Sequence, residues 1–164
     1  SQRQIWMISD CDIHRRTFDG WSDSMNQNSS HSEEYFDRLL KGFDTVPYAS
    51  HLGMRMTSIS SGMATISLSV REQLKQPHGL LHGGAIASLI DTATAFASFT
   101  VIGEGEKTAT SDLTVHFLRP VTNGEVSCTA RVIKTGKRMV VINAEVVDST
   151  GEVVATAITS YVRI

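Results

Sequence analysis

The chain has 164 residues, 41% of them hydrophobic and 20% charged, enough for one globular domain with a short extension and too few for two full domains. Fifteen lysines and arginines against seventeen acids, with a net charge of −2, a pI near 6.3 and no block of like charge, argue against a nucleic-acid partner. Apolar runs such as 85–90 are broken by Asp91 and Thr92 far short of the ~20 residues of a bilayer span, so neither a transmembrane segment nor a membrane partner is expected.

Ser1 to Asp10 lacks the charged start and long apolar core of a signal peptide, and Cys11 and Cys128 are the only cysteines. The expectation is a cytoplasmic protein with ordinary thiols and no Cys-rich metal site. Residues 1–30, with Asp19-Gly20-Trp21-Ser22-Asp23-Ser24 and Asn26-Gln27-Asn28-Ser29-Ser30, are polar, aperiodic and rich in turn formers, and read as an arm. Five basic and eight acidic residues fall within 1–46, so the acidity belongs to this extension and the domain proper spans 47–164. A short helix is predicted from Glu33 to Lys41: Ser32 can cap it, Glu33 and Glu34 suit its N-terminal dipole and Gly42 can close it.

Period-2 alternation then predicts strands at 52–59 and 64–70 joined by a hairpin at Ser60-Ser61-Gly62. A loop with Pro77 and Gly79 leads to the longest helical candidate, 83–101, apolar almost all round and therefore buried. Strands follow at 107–119, 124–135, 138–148 and 153–163, with turns at Asn123-Gly124, Thr135-Gly136 and Asp148 to Gly151. Two strands, one greasy helix and four strands predict an α+β fold, one antiparallel sheet wrapped around a central helix.

Two features of that helix bear on chemistry. Gly83 and Gly84 at its start let another molecule approach the backbone, where unpaired amides and the helix dipole can stabilise an oxyanion; a merely structural tight turn is the competing reading. Asp91 falls among Leu89, Ile90 and Ala93 with no cation within a turn, where an ionised carboxylate costs several kcal/mol unless it is satisfied. Such a group is poised for proton transfer or nucleophilic work, or else is hydrogen-bonded to Ser88, Thr92, Thr94 or a distant amide. Eight residues of helix separate Gly83 from Asp91, about 12 Å at 1.5 Å per residue, so one chain cannot bring both to one carbonyl. A two-fold homodimer with antiparallel neighbouring helices does so twice.

The run Gln76-Pro77-His78-Gly79-Leu80-Leu81-His82-Gly83-Gly84, the acid at Asp91 and the later Phe117-Leu118-Arg119-Pro120 resemble the hotdog-fold acyl-CoA thioesterases, in the branch of the phenylacetyl-CoA and 4-hydroxybenzoyl-CoA enzymes. The resemblance spans residues 50–164 and implies that the Gly83 amide binds the thioester oxygen while Asp91 of the partner chain acts as nucleophile or general base. It further implies that Gln76 lies beside the thioester, that His82 shapes the start of the helix, and that Thr110 stands where some members carry a serine that orients water. Members with Glu at the acid position also occur, so Asp91 leaves an acyl-enzyme intermediate open.

Coenzyme A is then part of the substrate, with no separate cofactor and no metal. Its phosphates are expected to meet Arg119, Lys137 and Arg138, with Gly84 also contacting substrate; Arg131 and Lys134 belong to the same basic stretch. The acyl pocket is expected from Met54, Met56, Phe96 and Phe99. His14, His31, His51, His78 and His116 show no metal-ligand spacing, and no Gly-x-Ser-x-Gly elbow occurs. The predicted function is hydrolysis of an acyl-CoA thioester by a homodimer, further paired into a homotetramer. The alternatives are a non-catalytic acyl-CoA-binding module and an acyl-thioester hydratase or dehydratase.

Overall fold

A computed structural model of the chain describes residues 31–164; the expected polar arm, with Cys11 and His14, lies outside the described residues. Two short helices, α1 (Glu33–Phe43) and α2 (Pro47–Leu52), precede the hairpin β1 (Met54–Ser60) and β2 (Met63–Ser69). A 3-10 turn at Glu72–Leu74 and a loop lead to helix α3 (Gly83–Phe99), followed by β3 (Thr108–Phe117), β4 (Glu125–Thr135), β5 (Met139–Asp148) and β6 (Val153–Arg163). The strands form one antiparallel sheet in the order β1-β2-β4-β5-β6-β3.

The period-2 pattern puts Ile66, Leu68, Val126, Cys128, Ala130, Val140, Ile142 and Ala144 on one face of the sheet, where they are buried in one cluster with Leu89, Ile90, Ala93 and Ala97 of α3. Each large aliphatic side chain removed from water contributes about 1.5–3 kcal/mol, and this shared interior holds helix and sheet together. The sheet has two edges. At one, β1 is flanked by α1; at the other, β3 pairs with β6 alone among the described residues, which leave its second edge open.

Three expectations need correction. The strand expected over 52–59 starts at Met54, because Pro47 presets the first turn of α2 and Gly53, at φ 73°, ends that helix in the left-handed region. Helix α1 runs through Gly42 to Phe43, and Ser32 sits at its N-cap without a side-chain bond. Helix α3 is not buried all round: Gly84, Ala87, Ser88, Asp91, Thr92, Ala95 and Phe99 form a stripe left partly open to solvent.

Helix α1 lies over the C-terminal end of α3. The Tyr35 hydroxyl donates to the Phe99 carbonyl at 2.9 Å, supplying a partner to one of the carbonyls that a helix end leaves free. His31 Nε2 lies 2.9 Å from the Ile102 carbonyl, its ring stacked on Tyr35, and Phe43 packs edge-on against Phe96.

Burial of Cys128 in the sheet–helix interior pushes its thiol up to about 12 from an ordinary 9.0. The unfolded chain therefore loses this proton before the folded one does. The resulting stability is fully present below about pH 9 and is lost as pH rises towards 12. In a Cys11→Ser variant the folded protein should resist thiol reagents at pH 8 and react fully in denaturant, and its urea midpoint should fall between pH 8 and 10.5. Rapid modification of the folded protein would contradict this placement of Cys128.

Candidate active site

Helix α3 begins at the glycine pair. His82 holds extended backbone at φ −65° and ψ 133°, its Nδ1 accepts the Gly84 N–H at 2.8 Å, and its carbonyl accepts the Ala85 N–H at 2.9 Å. The imidazole thus serves as an N-cap, a task usually done by Ser, Thr, Asp or Asn. The Gly84 amide is consumed by this cap, whereas the Gly83 amide has no acceptor among the described residues. A Cβ at 84 would lie 2.9 Å from His82 Nδ1, and one at 83 would lie 3.2 Å from the Phe117 ring, so glycine at both positions keeps the cap and the amide accessible.

The preceding loop is folded back on this turn. Gln76 N–H donates to the Leu80 carbonyl, Gly79 N–H to the Gln76 carbonyl, His82 N–H to the Leu74 carbonyl and Leu81 N–H to the Val121 carbonyl, all between 2.7 and 2.9 Å. The result is a cavity of about 300 Å³ whose lining includes Gln76, Leu80, Gly83, Ile86, Phe117 and Arg119. Three residues singled out in the sequence, Gln76, Gly83 and Arg119, therefore share one cavity.

Asp91 lies two turns further along α3 and is half-buried, not engulfed as its apolar neighbours imply. Its Oδ1 accepts from the Thr110 hydroxyl at 2.9 Å and from the Tyr161 hydroxyl at 3.2 Å; Oδ2 has no partner, and no cation pairs with Asp91, among the described residues. The Tyr161 hydroxyl is also 2.9 Å from the Asp91 main-chain carbonyl and 2.9 Å from Thr94 Oγ1. Burial, with the Asp91 carboxylate beside it, holds the Tyr161 phenol well above its ordinary range, so it stays a neutral donor.

Strand β3 runs antiparallel to α3, with Phe117 beside Gly83, Thr110 beside Asp91 and Thr108 Oγ1 3.4 Å from Ser98 Oγ. A β-bulge at Ser111 decides which side chain faces Asp91. Strict alternation from Phe117, Val115 and Leu113 would turn 111 inward; the bulge puts Thr110 inward instead, opposite Tyr161 of β6. Tyr161 was missed in the sequence, where it reads only as an alternating position of the last strand.

Other expected partners are not brought together. Arg119 pairs with Glu152 at 2.8 Å at the end of the sheet near Gly83, whereas Lys137 and Arg138 sit at the β4–β5 turn, about 30 Å away along eleven residues of β4. One protomer cannot place all three on one nucleotide. Met54, Met56, Phe96 and Phe99 do not line the cavity beside Gly83; Phe96 and Phe99 pack edge-on against each other near α1.

The chain matches the thioesterase superfamily model over residues 78–155. It is 34% identical to the acyl-coenzyme A thioesterase PaaI of Escherichia coli over 108 residues, 65% of this chain and 75% of that one. The chain belongs to the thioesterase superfamily. This thioesterase is also 33% identical over 89 residues to the proofreading thioesterase EntH of Klebsiella pneumoniae, covering 54% of this chain and 65% of that one. The solved structure of the E. coli PaaI protein superposes on it with a TM-score of 0.72 at 28% identity, over 79% of this chain and 96% of that one. The six-stranded sheet around α3 is accordingly the hotdog fold.

Replacing the capping ring tests the architecture of the α3 start. His82→Ala should lower unfolding stability in urea by about 0.5–2 kcal/mol, the usual cost of a lost N-cap. An unchanged unfolding midpoint would show that the ring does not hold the helix start.

Proposed function

We propose that the protein hydrolyses acyl-CoA thioesters at two equivalent sites, each built from Gly83 of one subunit and Asp91 of its partner. The observation that carries this reading is the spacing, along one rigid helix, of Gly83 and Asp91, whose amide and Oδ2 have no partner among the described residues: eight residues, a rise of about 12 Å at 1.5 Å per residue. Two further features support a two-fold partner. The outer edge of β3 runs along ten residues and has no strand partner among the described residues, and the partly open stripe of α3 consists mostly of small side chains that let a second helix approach closely. Pairing two β3 edges across a two-fold axis sets the two α3 helices side by side and antiparallel.

In this reading the thioester carbonyl oxygen accepts the Gly83 N–H, assisted by the positive end of α3, and Gln76 lines the same cavity and steadies the acyl-thioester group. Asp91 Oδ2 takes a proton from water as the water oxygen bonds to the carbonyl carbon. The tetrahedral oxyanion then collapses, the C–S bond breaks, and the departing thiolate receives that proton as the free acid leaves. The same geometry serves direct attack by Oδ2 on the carbonyl carbon, with the C–S bond breaking to release the thiolate, followed by hydrolysis of the resulting anhydride to the free acid and the Asp91 carboxylate. His82 acts through its cap, Gly84 supplies close backbone approach, and Thr110 holds the carboxylate. Arg119, at the rim of the Gly83 cavity, is the phosphate contact nearest the reaction; Lys137 and Arg138 would reach a nucleotide only from another subunit. The acyl group contacts an apolar lining that includes Leu80, Ile86 and Phe117.

Thiol release from a panel of acyl-CoAs measures the activity. Asp91→Ala should lower kcat by at least about 100-fold with the dimer intact. Gly83→Pro removes the amide proton at a position where the backbone accepts it, since proline is favoured at the first helical position and His82 already has the extended backbone a following proline requires; its added Cβ, 3.2 Å from the Phe117 ring, makes that ring give by a few tenths of an ångström. It should lower kcat by roughly 100- to 1,000-fold, the cost of one oxyanion donor. Wild-type turnover in either folded variant would eliminate this mechanism.

A further inference from the structure

The carboxylate of Asp91 is held unevenly. Oδ1 receives two hydroxyl donors from two different strands, Thr110 of β3 at 2.9 Å and Tyr161 of β6 at 3.2 Å, while Oδ2 receives none among the described residues. Thr110 and Tyr161 are cross-strand partners in the ladder, so the two donors are fixed relative to one another by the sheet. Tyr161 is only 2% exposed and its ring is packed, which holds the hydroxyl oxygen in place beside Asp91.

We propose that Tyr161 is a positioning residue of the thioesterase: with Thr110 it pins Oδ1 of Asp91, fixes the carboxylate plane against α3, and leaves Oδ2 as the oxygen that reacts. The proposal rests on the catalytic role given to Asp91 above. Thr94 Oγ1 has its own helix acceptors, the Ile90 carbonyl at 2.9 Å and the Asp91 carbonyl at 3.0 Å, which frees the Tyr161 proton for Asp91. That proton has two acceptors within reach, the Asp91 main-chain carbonyl at 2.9 Å and Oδ1 at 3.2 Å. The O–H can therefore turn about the C–O bond towards Oδ1 while the carboxylate is charged and back towards the carbonyl when Oδ2 holds a proton. Sequence alone gives no such role to Tyr161, because the contact joins residues 70 positions apart.

Tyr161→Phe keeps the ring and removes only the donor. Its kcat for an acyl-CoA should fall on the order of 10-fold with KM held within about 2-fold, since the lost bond orients the reacting group and touches no substrate. The same substitution placed in Asp91→Ala should leave the residual rate unchanged, because nothing remains to be positioned. A general packing defect would instead lower the residual rate and raise KM. Wild-type kcat in folded Tyr161→Phe, with Asp91→Ala inactive, overturns the positioning role alone. Loss of the folded dimer in Tyr161→Phe assigns the hydroxyl to stability and also overturns it. An Asp91→Ala variant as active as wild type overturns the catalytic reading on which the proposal stands.

Discussion

A helix advances 1.5 Å per residue and does not bend to suit chemistry. That constraint organises the molecule. The free amide of Gly83 and the carboxylate of Asp91 belong to one seventeen-residue helix, and its packing into the sheet fixes the distance between them. Nothing within a single protomer can shorten it. The features that look unfinished in one chain, an open β3 edge and a partly uncovered face of α3, are those a second copy would complete.

Among the described residues the partners of the Asp91 carboxylate are hydroxyls, not cations. A lysine or arginine at this position would hold the carboxylate firmly, and the same attraction would stabilise the anion against picking up a proton or attacking carbon. Neutral donors from Thr110 and Tyr161 fix its orientation with a smaller stabilisation and occupy one oxygen of the two. At the start of α3, His82 performs a similar selection. By consuming the Gly84 amide it leaves Gly83, at the wall of the cavity, as the main-chain donor at the helix start without an acceptor among the described residues. One oxygen and one amide are thus left available by local bonding of their twins.

Much of this was legible in the residues. Period-2 alternation marked five of the six strands closely, and the mostly apolar character of 83–101 marked the central helix, which ends at Phe99, because burial is written directly into side-chain type. Gly83, Gly84 and Asp91 stood out as the wrong residues for a greasy helix. Less was legible where a register decides the outcome. The bulge at Ser111 reverses which of two adjacent side chains faces inward, and hydrophobic pattern carries no trace of it in a stretch as polar as Thr108 to Asp112. Tyr161 meets Asp91 only through that sheet register. The six-residue helix α2 was overlooked although Pro47 and Gly53 bracket it, because the apolar Leu52 was assigned to the strand. The basic residues Arg119, Lys137 and Arg138 look like one cluster in the chain, yet β4 carries two of them to the far end of the sheet.

Subunit complementation tests the shared site most directly. Asp91→Ala and Gly83→Pro chains, each inactive as a homodimer, are co-expressed in equal amounts and the mixed dimers are assayed for thiol release. Sites built across the two-fold axis give each mixed dimer one intact pocket, so activity returns to about a quarter of the wild-type level when half of the dimers are mixed. Mixed dimers that remain as inactive as their parents would show that amide and acid come from the same chain, and would contradict the account.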